Sequence, residues 1–254
     1  MSLIQLDAVS IRIPVYGLNS RVFKQELVRI ATGGLIKTGL HTVMVDALKN
    51  INLRLEDGMR LGIIGGNGAG KTTLLRLISG IYEPTSGTRV VQGAITALFD
   101  VMVGMEEDLT GLENIVLRGV LLGAKKKEMQ ERHQEIVNFT GLGDYIHMPI
   151  RTYSSGMKMR LAFSILEYMR PEILVIDEVV GAGDASFIEK TQKRMKEMMR
   201  SSRILVLSSH DTSIIDKMCD QVLWLEMGEV RYYGDKKEGI QAYMDSLNVP
   251  AVQG

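Results

Sequence analysis

The chain of 254 residues holds one cysteine, Cys219. That excludes an intrachain disulfide and any cysteine-based zinc site, and it fits a reducing compartment. An excess of charge of either sign is missing too, since 30 Lys+Arg balance 30 Asp+Glu. General nucleic-acid binders usually carry a basic excess, so no nucleic-acid partner is expected. No window approaches about 18 consecutive apolar residues, so no segment reads as a membrane-spanning helix. Any membrane role is expected to come through a partner. The N-terminus, MSLIQLDAVSIRIP, lacks the basic stretch and long apolar run of a signal peptide. Internal repeats and low-complexity tracts are absent. Phenylalanines are few, 5 against 16 methionines, which suggests adaptable packing.

What is present is a globular composition, 45% apolar and 24% charged. The length allows a sizeable core, in one domain or one domain with a subdomain. Residues 3–7 alternate apolar and polar as a strand does, and 11–16 repeat the pattern. Ser20 as N-cap and Gly33 as stop frame a helix over about 21–32, with Val22, Phe23, Leu27 and Ile30 on one face. Strands resume over 43–56, with a turn at Asp57-Gly58. A short apolar run, RLGIIGG, ends in glycines, and the helix KTTLLRLISG starts within them. Thr110 and Glu113 spell a capping box. Charged helical residues over 125–139 and a helix from Ser155 to about Met169 follow. Residues 102–165 therefore read as a helical subdomain inserted between two pieces of one sheet. PEILVIDE is a buried strand, 186–201 a helix, RILVLSSH a strand and TSIIDKMC a helix. QVLWLEMGEVRYYG reads as a hairpin turning at Met227-Gly228, and 236–247 as a closing helix.

Residues 65–72, GGNGAGKT, fit G-x-x-x-x-G-K-[ST] between a strand and a helix. Glycines let backbone N–H groups surround phosphate oxygens, and the helix adds its positive N-terminal end. Gly65, Gly66, Asn67, Gly68, Ala69, Gly70, Lys71, Thr72 and Thr73 are the expected nucleotide contacts. Lys71 supplies a charge to the outer phosphates, and the Thr72 hydroxyl joins an Mg²⁺ shell of oxygen ligands. ILVIDE delivers two carboxylates at a strand end. Beside the phosphate-loop strand, Asp177 would reach the Mg²⁺ region and Glu178 an attacking water. Asp184 is placed to steer the following loop, and His210, after ILVLSS, to reach a γ-phosphate.

Tyr153-Ser154-Ser155-Gly156-Met157 opens the helix KMRLAFSILEYM ahead of the Asp-Glu strand. Here the chain resembles the nucleotide-binding subunit of ABC transporters, whose LSGGQ-like signature occupies this place. The motifs occur in that family's order over about residues 3–235. The resemblance implies an α/β P-loop NTPase fold, a mixed sheet core with the helical subdomain. It implies that Ser154, Ser155 and Gly156 bind the ATP of the opposite subunit, and that ATP and Mg²⁺ are the ligands. Small residues and free N–H groups at a helix start also form an anion site on physical grounds. Tyr16 matches the family's early aromatic that stacks on adenine; it reads equally as a strand-end core tyrosine.

Two departures are visible. The family's glutamine after the strand near TALFD has no counterpart between Gln92 and Gln130; Asp100 or a neighbour stands there. The long 20–40 segment with its helix follows Tyr16, where ordinary members have a short link. YSSGM, DLTGLEN, EVVGAGD and this early helix resemble the ATPases of polysaccharide, O-antigen and teichoic-acid exporters. The resemblance implies an ATP hydrolase working as a homodimer with two separate membrane permease subunits. It would move a lipid-linked glycan from the cytoplasmic face of the inner membrane. The chain would be one ATPase domain, without the C-terminal carbohydrate-binding domain of longer members. The other readings are another ABC transporter ATPase, a non-transport ABC-type ATPase and a small-molecule P-loop kinase.

Overall fold

The structure, a computed structural model, describes residues 1–15, 38–39, 42–99, 102–169, 171–177, 193 and 195–248. The helix expected over 21–32 lies outside them, as do Tyr16, Asp100, Glu178 and Asp184. The chain divides into two compact units. The first comprises Met1–Gly93, Ile176–Glu178 and Ile204–Gly254. The second comprises Ala94–Val175 and Val179–Arg203.

The first unit opens with an antiparallel sheet of β1 (Leu3–Val15), β2 (Thr38–Gly39), β3 (Thr42–Glu56) and β5 (Ser86–Gln92), in the order β2-β3-β1-β5. The two apolar runs near the N-terminus are one strand. Ala8, with φ at +50°, leaves the ladder, and its N–H donates to Asn52 Oδ1 at 2.9 Å. The pairing with β3 shifts register between Leu6 and Val9 as a result. β5 was not legible in the sequence, because its alternation is weak and most of its residues are exposed.

A second sheet in this unit runs β10 (Glu229–Asp235), β9 (Gln221–Glu226), β4 (Arg60–Ile64), β8 (Ile204–Ser208). β4 pairs parallel to both β8 and β9, while β9 and β10 form an antiparallel hairpin. The sheet is therefore mixed. Leu61, Ile63, Leu205, Val206 and Leu207 are fully buried, as expected of parallel strands covered on both faces. The hairpin turns at Met227-Gly228, both with positive φ, which suits the twist of two-residue turns. α1 (Lys71–Ile78), α5 (Thr212–Met218) and α6 (Lys236–Asn248) complete this unit.

The second unit holds β6 (Ile95–Leu98), α2 (Gly111–Leu121), α3 (Lys126–Thr140), α4 (Ser155–Glu167) and β7 (Ile173–Asp177), whose last two residues count with the first unit. β6 neighbours β7. The predicted capping box is present at the start of α2. The Thr110 hydroxyl accepts from Glu113 N–H at 3.2 Å, and Thr110 N–H donates to the Glu113 carboxylate at 2.8 Å. Those bonds from Thr110 hold the Glu113 carboxyl below its ordinary value. Ile115, Met129, Ile136, Ile146, Ile150, Leu161 and Ile165 form an apolar core between the three helices. Buried Asn114 is satisfied by the loop before α2: its amide donates to the carbonyls of Glu106, Leu109 and Thr110.

Candidate functional site

β4 delivers the chain to the glycine-rich loop, and α1 takes over at Lys71. Gly70 caps α1 in a left-handed conformation, with φ at +106° and no side-chain cap. The free N–H groups of the first turn therefore face the loop. Gly66, Asn67 and Gly68 are exposed, whereas Gly65 and Ala69 are buried. Lys71 folds back over this loop. Its ammonium donates to Gly65 O at 2.7 Å and Gly66 O at 3.0 Å, and the residue is only 8% exposed. The positive charge is thus held at the loop's mouth by two carbonyls. Thr72 sits one residue further along α1. Its hydroxyl donates to Asp177 Oδ2 at 2.6 Å, across 105 positions of sequence. The fold so brings Lys71, Thr72 and Asp177 together at one end of the loop.

A second layer holds the loop in shape, and it was not apparent in the sequence. A Cβ on Gly65, where φ is +147°, would lie 2.3 Å from Leu225 O of β9. Gly228 N–H, in the turn after β9, donates to Ala69 O at 2.9 Å, and Gly228 O accepts from Lys49 N–H at 2.8 Å. The Lys49 ammonium also pairs with Glu229 at 3.1 Å. The hairpin therefore ties the phosphate loop to β3. The Met-Gly turn was legible; its contact with Ala69 required the sheet order. Gly228→Ala places a Cβ 2.7 Å from Ala47 O at φ +80°. We expect about 2 kcal/mol of destabilisation from the left-handed strain and the clash. For a chain of this size that is a melting point lower by about 4–8 °C. Weaker nucleotide binding should accompany it. Thermal melting and a fluorescent-nucleotide titration check both.

His210 follows β8 and is exposed. Asp211 beside it caps α5, accepting from Ser213 N–H at 2.8 Å. Hydrogen bonds from Ser213 hold the Asp211 carboxyl below its ordinary value. The cap anchors the backbone from which His210 projects; the D-x-S pattern is the signal for it. Cys219 is buried, and desolvation pushes its thiol up to about 12, so it is a packing residue and not a nucleophile.

The signature residues belong to the second unit. Ser154 is the N-cap of α4, its hydroxyl accepting from Met157 N–H at 3.2 Å. Ser154 and Ser155 are exposed, and a Cβ on Gly156 would meet nothing nearer than Ser154 Oγ at 3.9 Å. The helix start is therefore open and carries N–H groups suited to an anion.

Such a loop on a mixed sheet defines a P-loop nucleoside-triphosphatase of the α/β class. Residues 48–181 match the family described as ABC transporter. The chain is 44% identical over 221 residues to the O-antigen export system ATP-binding protein RfbE of Yersinia enterocolitica, covering 87% of this chain and 92% of that protein. It is 40% identical over 231 residues to the O-antigen export system ATP-binding protein RfbB of Myxococcus xanthus, covering 91% of this chain and 52% of that protein. The chain thus spans about half the length of this second relative. A dimeric ATP-binding cassette in a post-hydrolysis state, bound to ADP and Pi, superposes with a TM-score of 0.64 at 21% identity. That alignment covers 92% of this chain and 98% of the other, and shares the fold. The chain belongs to the ABC transporter family, as its motifs had implied. Among the described residues, no helix is long and apolar enough to cross a membrane.

Proposed function

We propose that this chain is the ATP-hydrolysing subunit of an exporter for a lipid-linked polysaccharide, of the O-antigen, capsule or teichoic-acid kind. The observation that carries the reading is the match to RfbE over nearly the full length of both proteins. The chain's own residues supply the chemistry. The loop N–H groups and Lys71 bind the phosphates of ATP and orient them. Thr72 and Asp177 offer two oxygen donors from opposite elements, a set that fits Mg²⁺. Bound there, Mg²⁺ would neutralise charge on the β- and γ-phosphates. Glu178 accepts a proton from the attacking water, His210 acts at the γ-phosphate end, and Asp184 steers the loop that follows Glu178. Ser154, Ser155 and Gly156 hold the ATP of a second copy of the chain. Tyr16 is assigned to the adenine.

Closure of this homodimer on ATP would drive two permease subunits, and hydrolysis would reset them. Apolar surface supports a protein partner: Leu112, Val116, Leu117 and Val120 of α2 line a groove with Lys126 and His133 of α3, and neighbouring Leu121 is 63% exposed. The chain would work on the cytoplasmic face of the inner membrane, held there through the permease.

Cells lacking the chain should accumulate lipid-linked glycan inside and lose it from the surface. Normal surface glycan would overturn the export reading. A chain with residues 20–34 replaced by a Gly-Ser link tests the early helix, whose Arg21, Lys24 and Arg29 suit lipid phosphates or an acidic partner. We expect basal ATPase activity in vitro and strongly reduced export in cells. Normal export would remove the helix from the substrate path. Failure to fold would assign it to covering the sheet.

A further inference from the structure

We propose that the Tyr153 hydroxyl is the positioning group that sets Ser154 in place for the second copy's ATP. The inference rests on the reading of Ser154 as a contact made between copies. Tyr153 and Ser154 are neighbours with opposite surroundings. Tyr153 is 6% exposed and packs in the helical core, whereas Ser154 is exposed. A hydroxyl carried into an apolar cluster costs free energy unless it is bonded. This one is bonded: it donates to Tyr145 O at 2.5 Å. The first residue of α2 lies against the Tyr153 hydroxyl oxygen itself. A Cβ on Gly111 would sit 2.5 Å from it, and a hydrogen bond from the Gly111 backbone partly offsets the upward push of burial on the phenol.

The surrounding backbone makes this contact a junction. Ile150 N–H donates to Leu109 O at 2.9 Å, Arg151 N–H to Glu107 O at 3.0 Å and Gly111 N–H to Met148 O at 3.3 Å. The Lys158 ammonium, one turn into α4, pairs with Glu107 at 2.6 Å. The approach to α2 and the approach to α4 are therefore stitched side by side, and Tyr153 is the last stitch before Ser154. Any large apolar side chain would fill the ring's place in the helical core. Only a directional bond fixes the ring, and with it the extended backbone, φ −64° and ψ 162°, from which Ser154 caps α4. Tyr153 touches no reacting atom; it acts through Ser154.

The test is Tyr153→Phe in the full chain, which keeps the ring and removes the bond. Ser154→Ala runs beside it. We expect a cooperative melt, and nucleotide affinity of the monomer equal to wild type. ATP-driven dimerisation should need about tenfold more ATP, with hydrolysis reduced by a similar factor, as expected for one well-placed hydrogen bond. Tyr153→Leu should behave like the phenylalanine variant. If Ser154→Ala impairs dimerisation and Tyr153→Phe does not, the positioning role is wrong and the reading of Ser154 stands. Normal dimerisation in both variants overturns that reading and the inference with it. A phenylalanine variant that loses its cooperative melt, or its monomer nucleotide affinity, makes Tyr153 a packing residue and also overturns the inference.

Discussion

Glu178→Gln is expected to slow ATP hydrolysis by about 10²- to 10⁴-fold while ATP still binds. The buried apolar run of β7 ends in Asp177. Asp177 lies against the Thr72 hydroxyl at the end of the phosphate loop. In the proposed mechanism the next residue, Glu178, is the carboxylate that takes the proton of the water attacking the γ-phosphate. Glutamine keeps the size and hydrogen-bonding reach of glutamate but cannot accept the water's proton. ATP should therefore stay intact in the site, and the ATP-bound dimer should accumulate. Phosphate release and size-exclusion chromatography with ATP measure the two effects. A hydrolysis rate near wild type would remove Glu178 from the mechanism.

Lys71→Ala should weaken ATP binding by about 100-fold or more, with the fold retained. The ammonium is held by the carbonyls of Gly65 and Gly66, so its position is set before the nucleotide arrives. Hydrogen bonds to charged groups contribute about 1.5–3 kcal/mol each, and two to phosphate oxygens give about 3–6 kcal/mol. Every 1.4 kcal/mol is about tenfold in affinity, so a hundredfold loss is the lower bound. Alanine is a good residue for the first turn of α1, and the carbonyl of exposed Gly66 can take water in place of the ammonium. Calorimetric titration with ATP decides the matter. An affinity within about threefold of wild type would show that the loop N–H groups carry the binding alone.

Much of the molecule is legible in the sequence alone. The capping box at Thr110 and Glu113 fell where the S/T-x-x-E spacing put it, since it depends on four adjacent residues. The hairpin turned at Met227-Gly228 for the same reason. α3 was expected over 125–139 and runs Lys126–Thr140, stopped by Gly141 in a left-handed conformation. The family, too, followed from motifs that are each a few residues long. β1 resisted the same treatment. Its alternation breaks at Ala8, and a break reads as two strands unless the partner Asn52 is known. β5 resisted because an exposed strand carries little apolar periodicity.

By itself, then, the sequence determined the phosphate loop, the capping box at Thr110, the hairpin and the membership of the family, because each is encoded over a span of a few residues. The tertiary structure decided what those pieces touch. It set Thr72 on Asp177, Gly228 on Ala69 and Tyr153 on Tyr145. The first two contacts join residues more than a hundred positions apart. Sheet order produces them, and sheet order follows from how the apolar faces are buried together. The third is close in sequence, yet its hydroxyl has a role only because helix packing buries it and leaves Tyr145 O within reach. Spacing rules describe one element at a time. A positioning bond is a property of two.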